Sequence, residues 1–134
     1  MAEGLCTAIA HKLGLLEVQA TSAGIAATEG SFPSPHAASV MREMGIAISK
    51  HRARQLNSEM AHHVDLILAM TPQHVKQALA IVGAAVPVRT LGDYAGVREA
   101  INDPFGGTAE RYRRIVEQIQ RLLTVALSRL GGAK

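Results

Sequence analysis

Asp65-Leu66-Ile67-Leu68-Ala69-Met70-Thr71-Pro72 joins two signals that together select a fold class. Residues 66–70 form an apolar run of strand length with no polar break, the pattern of a strand covered on both faces. Thr71-Pro72 then starts a helix at once, supplying a capping hydroxyl and a proline where the missing N–H does no harm. A covered strand running straight into a helix is the repeating unit of a parallel α/β sheet.

The flanking sequence extends that unit in both directions. Downstream, residues 86–91 predict a second short strand, with Pro87 at its beginning or on an edge. Residues 103–107 predict a tight loop, and Thr108 caps a last helix. On that helix Tyr112, Ile115, Val116, Ile119, Leu122, Leu123 and Ala126 make an apolar stripe opposite Arg113, Glu117, Gln120 and Arg121. Upstream, Leu5, Ile9 and Leu13 recur every four residues before the helix stop Gly14. Residues 17–22 alternate polar with Val18 and Ala20, predicting a strand that turns at Ala23-Gly24. Residues 30–35 form a loop, after which Pro35 opens a helix with the stripe Ala37, Val40, Met41 and Met44, closed by Gly45. Asn57 or Ser58 caps a short helix leading to His62. The expected fold is α/β, a parallel sheet with helices on both faces and right-handed crossovers. Such sheets bind ligands beyond the carboxyl ends of their strands, here the loops 22–30, 71–74 and 92–107.

Composition narrows the class. With 134 residues, 48% hydrophobic and 19% charged, the chain reads as one domain, 1–134, able to bury a core without metals or disulfides. A disordered or collagen-like chain is excluded. His62, His63 and Asp65 interrupt the best apolar stretch, so no membrane span is expected. The amino terminus lacks the basic and apolar regions of a signal peptide, and a single cysteine excludes an intramolecular disulfide; a cytoplasmic protein is expected. The net charge of +3 weakly favours anionic partners. The only rings, Phe32, Phe105, Tyr94 and Tyr112, are too few for the stacking platforms of a nucleic-acid binder.

Asp103-Pro104-Phe105-Gly106-Gly107 is the most unusual pentapeptide. An acid on a proline-fixed turn, beside an aromatic and two glycines, suits a general acid or base; a plain turn ahead of a helix is the alternative. Gly106-Gly107-Thr108 could also present N–H groups to an anion, without any Walker-type lysine. Cys6 falls on the first helix beside Leu5 and Ile9, which suits core packing better than nucleophilic chemistry. His11, His36, His51, His62, His63 and His74 show no ligand spacing, so no metal is expected. Arg52, Arg54, Arg111, Arg113 and Arg114 read as solvated faces, one of which could dock an acidic partner.

Taken in order, Met1-Ala2-Glu3, Ser22-Ala23-Gly24, Gly45-Ile46, His51-Arg52-Ala53-Arg54-Gln55-Leu56, Asp65 to Met70 and Asp103-Pro104 resemble the low-molecular-weight protein-tyrosine phosphatase family over essentially the whole chain. Pro35-His36-Ala37, Met70-Thr71-Pro72-Gln73-His74 and Asp103-Pro104-Phe105-Gly106-Gly107 are similar to its bacterial protein-arginine-phosphatase branch. The resemblance implies a three-layer fold on a four-stranded parallel sheet and a phosphatase without metal or cofactor, acting on phosphorylated proteins. In it a cysteine thiolate attacks phosphorus, an arginine and backbone N–H groups hold the oxyanions, and Asp103 protonates the leaving group. Phe105 then flanks the mouth of the pocket, and phosphoarginine ranks ahead of phosphotyrosine as substrate.

One departure stands out. The family opens with an apolar strand and a Cys-x5-Arg-Ser/Thr-Pro loop followed directly by Met-Ala-Glu, and this chain begins at that methionine. Cys6 follows the position of the loop and cannot be its nucleophile. The resemblance therefore predicts a sheet without its central first strand, which would lie between residues 17–22 and 66–70. Each buried backbone group left unpaired there costs about 1–3 kcal/mol. On this reading Met1 is an internal methionine, the product starts roughly 15 to 20 residues earlier, and the 134 residues alone are inactive. The alternatives are a non-catalytic relative that binds a protein partner and a thioredoxin-linked arsenate reductase, which one cysteine disfavours. The oligomeric state is not readable from the sequence.

Overall fold

The computed structural model describes residues 1–15, 17–25, 30–48, 50–102 and 107–132, the last two by backbone alone. Among these residues, five α-helices and two strands form an α/β fold: α1 (Ala2–Lys12), α2 (Pro35–Glu43), β1 (Ile67–Ala69), α3 (Pro72–Val82), β2 (Val88–Thr90), α4 (Leu91–Tyr94) and α5 (Ala109–Gly132). A 3-10 helix, Ser58–His63, precedes β1.

Local chemistry sets most of these boundaries. Side-chain oxygens of Ser34, Asn57 and Thr71 accept hydrogen bonds from the N–H groups of Ala37, Met60 and His74, so each start is capped within its own first turn. Pro35 and Pro72 occupy first-turn positions that need no N–H. Gly14 and Gly45, with φ of +74° and +78°, end α1 and α2 in a conformation costly for any residue with a Cβ. On α5 the residues Tyr112, Val116, Ile119, Leu122, Leu123, Ala126 and Leu127 are buried, at the spacing of a single helical face.

β1 and β2 pair in parallel, Ile67 opposite Val88, Leu68 opposite Arg89 and Ala69 opposite Thr90. Successive side chains of β1 point to opposite faces. Leu68 and Met70 pack with Leu5, Met41, Leu91 and Leu122, against which α1, α2 and α5 are assembled. Ile67 joins Ala61, Val82 and Val86 beneath α3 and the 3-10 helix. The strands therefore lie between two apolar layers, the arrangement expected of a sheet with helices on both faces.

Three expectations need correction. Residues 17–22 form no strand: the segment reaches sheet-like pairing only beyond its end, at one parallel bridge between Gly24 and Gln55. There the Gly24 N–H donates to the Arg54 carbonyl at 2.7 Å and the Leu56 N–H to the Gly24 carbonyl at 2.8 Å. Alternating polarity shapes a strand, but the ladder requires a neighbouring backbone. β1 has apolar layers on both faces yet is only half-buried along its length, since among the described residues β2 is its only ladder partner. Finally, Leu91 begins α4 instead of ending a strand, because the Thr90 hydroxyl caps the Asp93 N–H at 2.9 Å. No helix among the described residues is long and apolar enough to cross a membrane.

Candidate functional site

The carboxyl end of β1 is where residues distant in sequence meet. The Ile101 N–H donates to the Met70 carbonyl at 2.9 Å, fastening the chain two residues before Asp103 to the end of the strand. Ile101 is itself in the core, 3% exposed. Residues 99–102 run without regular secondary structure, yet α5 holds them from the side. Arg121 donates through both Nη atoms to the Glu99 carboxylate, each at 2.9 Å, and Gln118 Nε2 donates to the Ala100 carbonyl at 3.3 Å. The Arg121 hydrogen bonds hold the Glu99 carboxyl below the usual glutamate range. Five residues after Asp103, Thr108 opens α5, its hydroxyl accepting from the Arg111 N–H at 3.2 Å. Asn102, Thr108, Glu110, Arg111, Arg114 and Ile115 line an open depression between these two ends.

Asp103 and Phe105, the residues singled out for chemistry, lie outside the described residues, as do Pro104 and Gly106. So do residues 26–29 of the expected ligand loop 22–30. The structure describes the chain up to Asn102 and again from Gly107.

A second constellation gathers at the first turn of α1. Glu3 accepts a hydrogen bond from the Ser22 hydroxyl at 3.0 Å, and its other oxygen lies 3.5 Å from His51 Nδ1. Arg54 donates to the Ser22 carbonyl from Nε and Nη2, at 3.4 and 3.2 Å. Three motifs widely separated in sequence thus converge on the amino end of one helix. Their chemistry can orient backbone and side chains there, and a negative Glu3 suits the positive end of the helix dipole. In the sequence all four are motif members, Arg54 reading as a solvated face and His51 as a histidine without ligand spacing.

Other residues settle into structural positions. Cys6 is half-buried against the core, and burial pushes its thiol pKa up, so a nucleophilic thiolate is disfavoured there. His11, His36, His62 and His63 are exposed, and His36 stacks 5.7 Å from the Tyr112 ring. The arginines read as solvated faces are partnered in four cases, Arg114 through its Nε 3.7 Å from the Glu110 carboxylate. Arg113 grips Glu43 of α2 through two 2.9 Å hydrogen bonds, which lower the Glu43 carboxyl pKa and raise that of the guanidinium. Arg52 lies 3.8 Å above the Phe32 ring, and Arg54 joins the Ser22 carbonyl as above. Long charged side chains on an amphipathic face find such partners once tertiary neighbours arrive, which sequence spacing cannot display.

The family described as low molecular weight phosphotyrosine protein phosphatase matches residues 1–133. A protein-arginine-phosphatase of Bacillus subtilis is 36% identical over 126 residues, spanning 92% of this chain and 82% of that protein. The low molecular weight protein-tyrosine-phosphatase PtpB of Staphylococcus haemolyticus is 33% identical over 119 residues, 89% of this chain and 84% of its own. Among solved structures, a mutant YwlE arginine phosphatase with a phosphorylated active-site serine superposes with a TM-score of 0.91 at 33% identity, covering 97% of this chain and 86% of that one.

Proposed function

Because the chain belongs to the low molecular weight phosphotyrosine protein phosphatase family, we propose that it acts in the cytoplasm, as one domain, on phosphorylated proteins. The substrate is phosphoarginine ahead of phosphotyrosine, and the reaction passes through a cysteinyl-phosphate. Support for that order comes from the arginine phosphatase of Bacillus subtilis, 36% identical, against 33% for the tyrosine phosphatase PtpB. The observation that carries the reading is the anchoring of Ile101 on the Met70 carbonyl. It brings the approach to the Asp103 loop to the carboxyl end of β1, where sheets of this kind bind their ligands.

Two chemical steps divide the work. A thiolate attacks phosphorus, and the bond to the leaving nitrogen or oxygen breaks as Asp103 delivers a proton to it. Water, deprotonated by the same carboxylate, then attacks the phosphocysteine and releases phosphate. Phe105 flanks the pocket mouth against the substrate side chain. Cys6, with its raised thiol pKa, does not serve as nucleophile. The single cysteine, Cys6, is followed six positions on by Lys12 and not by an arginine, so on this reading the 134 residues by themselves hydrolyse nothing.

The test is to express the chain with and without the codons upstream of Met1 and assay phosphoarginine and phosphotyrosine proteins. The longer form is expected to be active, and Asp103→Asn to lower its turnover on poor leaving groups by about 10²- to 10⁴-fold. Turnover by the 134-residue chain overturns the assignment of the nucleophile. A second reading, a non-catalytic relative that binds a protein strand, draws on β1 having a single ladder partner among the described residues. It requires the longer form to be folded and inactive.

A further inference from the structure

We propose that Gly92, Gln118 and the Arg121–Glu99 pair are positioning residues for the loop that carries Asp103, an inference that rests on reading Asp103 as the proton donor. Residues 99–102 belong to no helix or strand, so no ladder sets their path. They are nevertheless held at three successive positions. Glu99 is gripped in fork geometry by Arg121, the Ala100 carbonyl accepts from Gln118, and the Ile101 N–H is bonded to Met70. Gly92 forms the floor beneath them: it is buried, and a Cβ there would collide with the Glu99 carbonyl oxygen. Any other residue at 92 must push the segment away from α4.

Gln118 and Arg121 sit three residues apart on α5, hence on one face of the helix. The same helix begins at Thr108, just beyond the loop. One rigid element therefore sets both where the chain enters the Asp103 loop and where it leaves. A general acid works only within hydrogen-bond reach of the atom it protonates, and a misplacement of about 1 Å can cost on the order of 10²-fold in rate. A two-point guanidinium–carboxylate contact fixes orientation as well as distance, which a single exposed charge cannot do.

The experiment uses the chain with its upstream codons and compares two aryl phosphates, one with a good and one with a poor leaving group. Arg121→Gln is expected to lower kcat on the poor leaving group about 2- to 5-fold, the scale of an exposed ion pair, with KM and the good-leaving-group rate little changed. Arg121→Lys recovers part of the loss, and Gly92→Ala costs about 10-fold or more. In an Asp103→Asn background Arg121→Gln adds nothing. Arg113→Gln, which breaks a contact of the same geometry away from residues 99–102, serves as the control. Equal losses for both leaving groups, persistence of the loss in Asp103→Asn, or an equal effect of Arg113→Gln overturns the proposal. If Asp103→Asn is silent, or the longer form is inactive, the proton-donor reading falls instead. Amide exchange at Ile101 in the 134-residue chain then decides the positioning claim: faster in Arg121→Gln than in Arg113→Gln supports it, and equal rates overturn it.

Discussion

Residues 67–101 and residues 17–25 are built from similar material and held in different ways. In the first region Ile67 donates to the Pro87 carbonyl at 3.0 Å, three residue pairs register β1 on β2, and Ile101 closes onto Met70 at 2.9 Å. Helices α3 and α5 then cover it from opposite faces. The second region touches its neighbour through one bridge at Gly24 and through side chains, Ser22 on Glu3 and Gln55 Nε2 on the Ile25 carbonyl at 2.6 Å. Strand character thus depends on the partner backbone, and side-chain contacts alone leave a segment irregular.

The contrast can be tested by breaking each region in turn. Leu122, 1% exposed and central to the packing of α5, is expected to cost about 2–5 kcal/mol as Leu122→Ala in a denaturant titration. Val18→Ala, at a half-buried position beside the same core, should cost much less; an equal cost would erase the distinction between the regions. Thr71→Ala removes the cap that turns β1 into α3 and is expected to lower stability by about 1 kcal/mol, read as a drop in Tm. Ser22→Ala removes one hydrogen bond to Glu3, a loss of about 0.5–1.5 kcal/mol, and should speed amide exchange near residue 22 while leaving Ile67 to Ala69 untouched.

The smallest effect is electrostatic. Glu43 and Glu99 have carboxyl pKa values lowered by hydrogen bonds from Arg113 and Arg121, so the unfolded chain binds more protons than the folded one in the acid range. Their contribution is complete above the ordinary glutamate value and fades as pH falls through the lowered ones. Unfolding midpoints taken from neutral to acid pH are expected to fall, and the double variant Arg113→Gln/Arg121→Gln should flatten that slope. Because both pairs are exposed, added salt should weaken them as well.

The candidate site was legible in one respect. Asp103-Pro104-Phe105 stands out as a motif because its residue types are rare together, and no tertiary information is needed to notice it. What surrounds it was not. Arg121 reads as one of several charges on a solvated helix face, and Glu99 lies 22 positions away; only packing α5 against α4 and the segment after it brings the two together. Glu3, Ser22 and His51 converge for the same reason, across gaps of 19 residues and more.

By itself the sequence determined α1, α2, α3 and α5. Their signals, an apolar residue every three or four positions, a hydroxyl two or three residues before the N–H it caps and a glycine past the last turn, act within a few residues along the chain. The tertiary structure alone decided that residues 17–22 stay irregular, that Leu91 turns into a helix, and that Glu99 to Asn102 lie against α5. Each of those outcomes turns on which backbone or charge stands alongside in space, and a linear pattern carries no record of its neighbours across the fold.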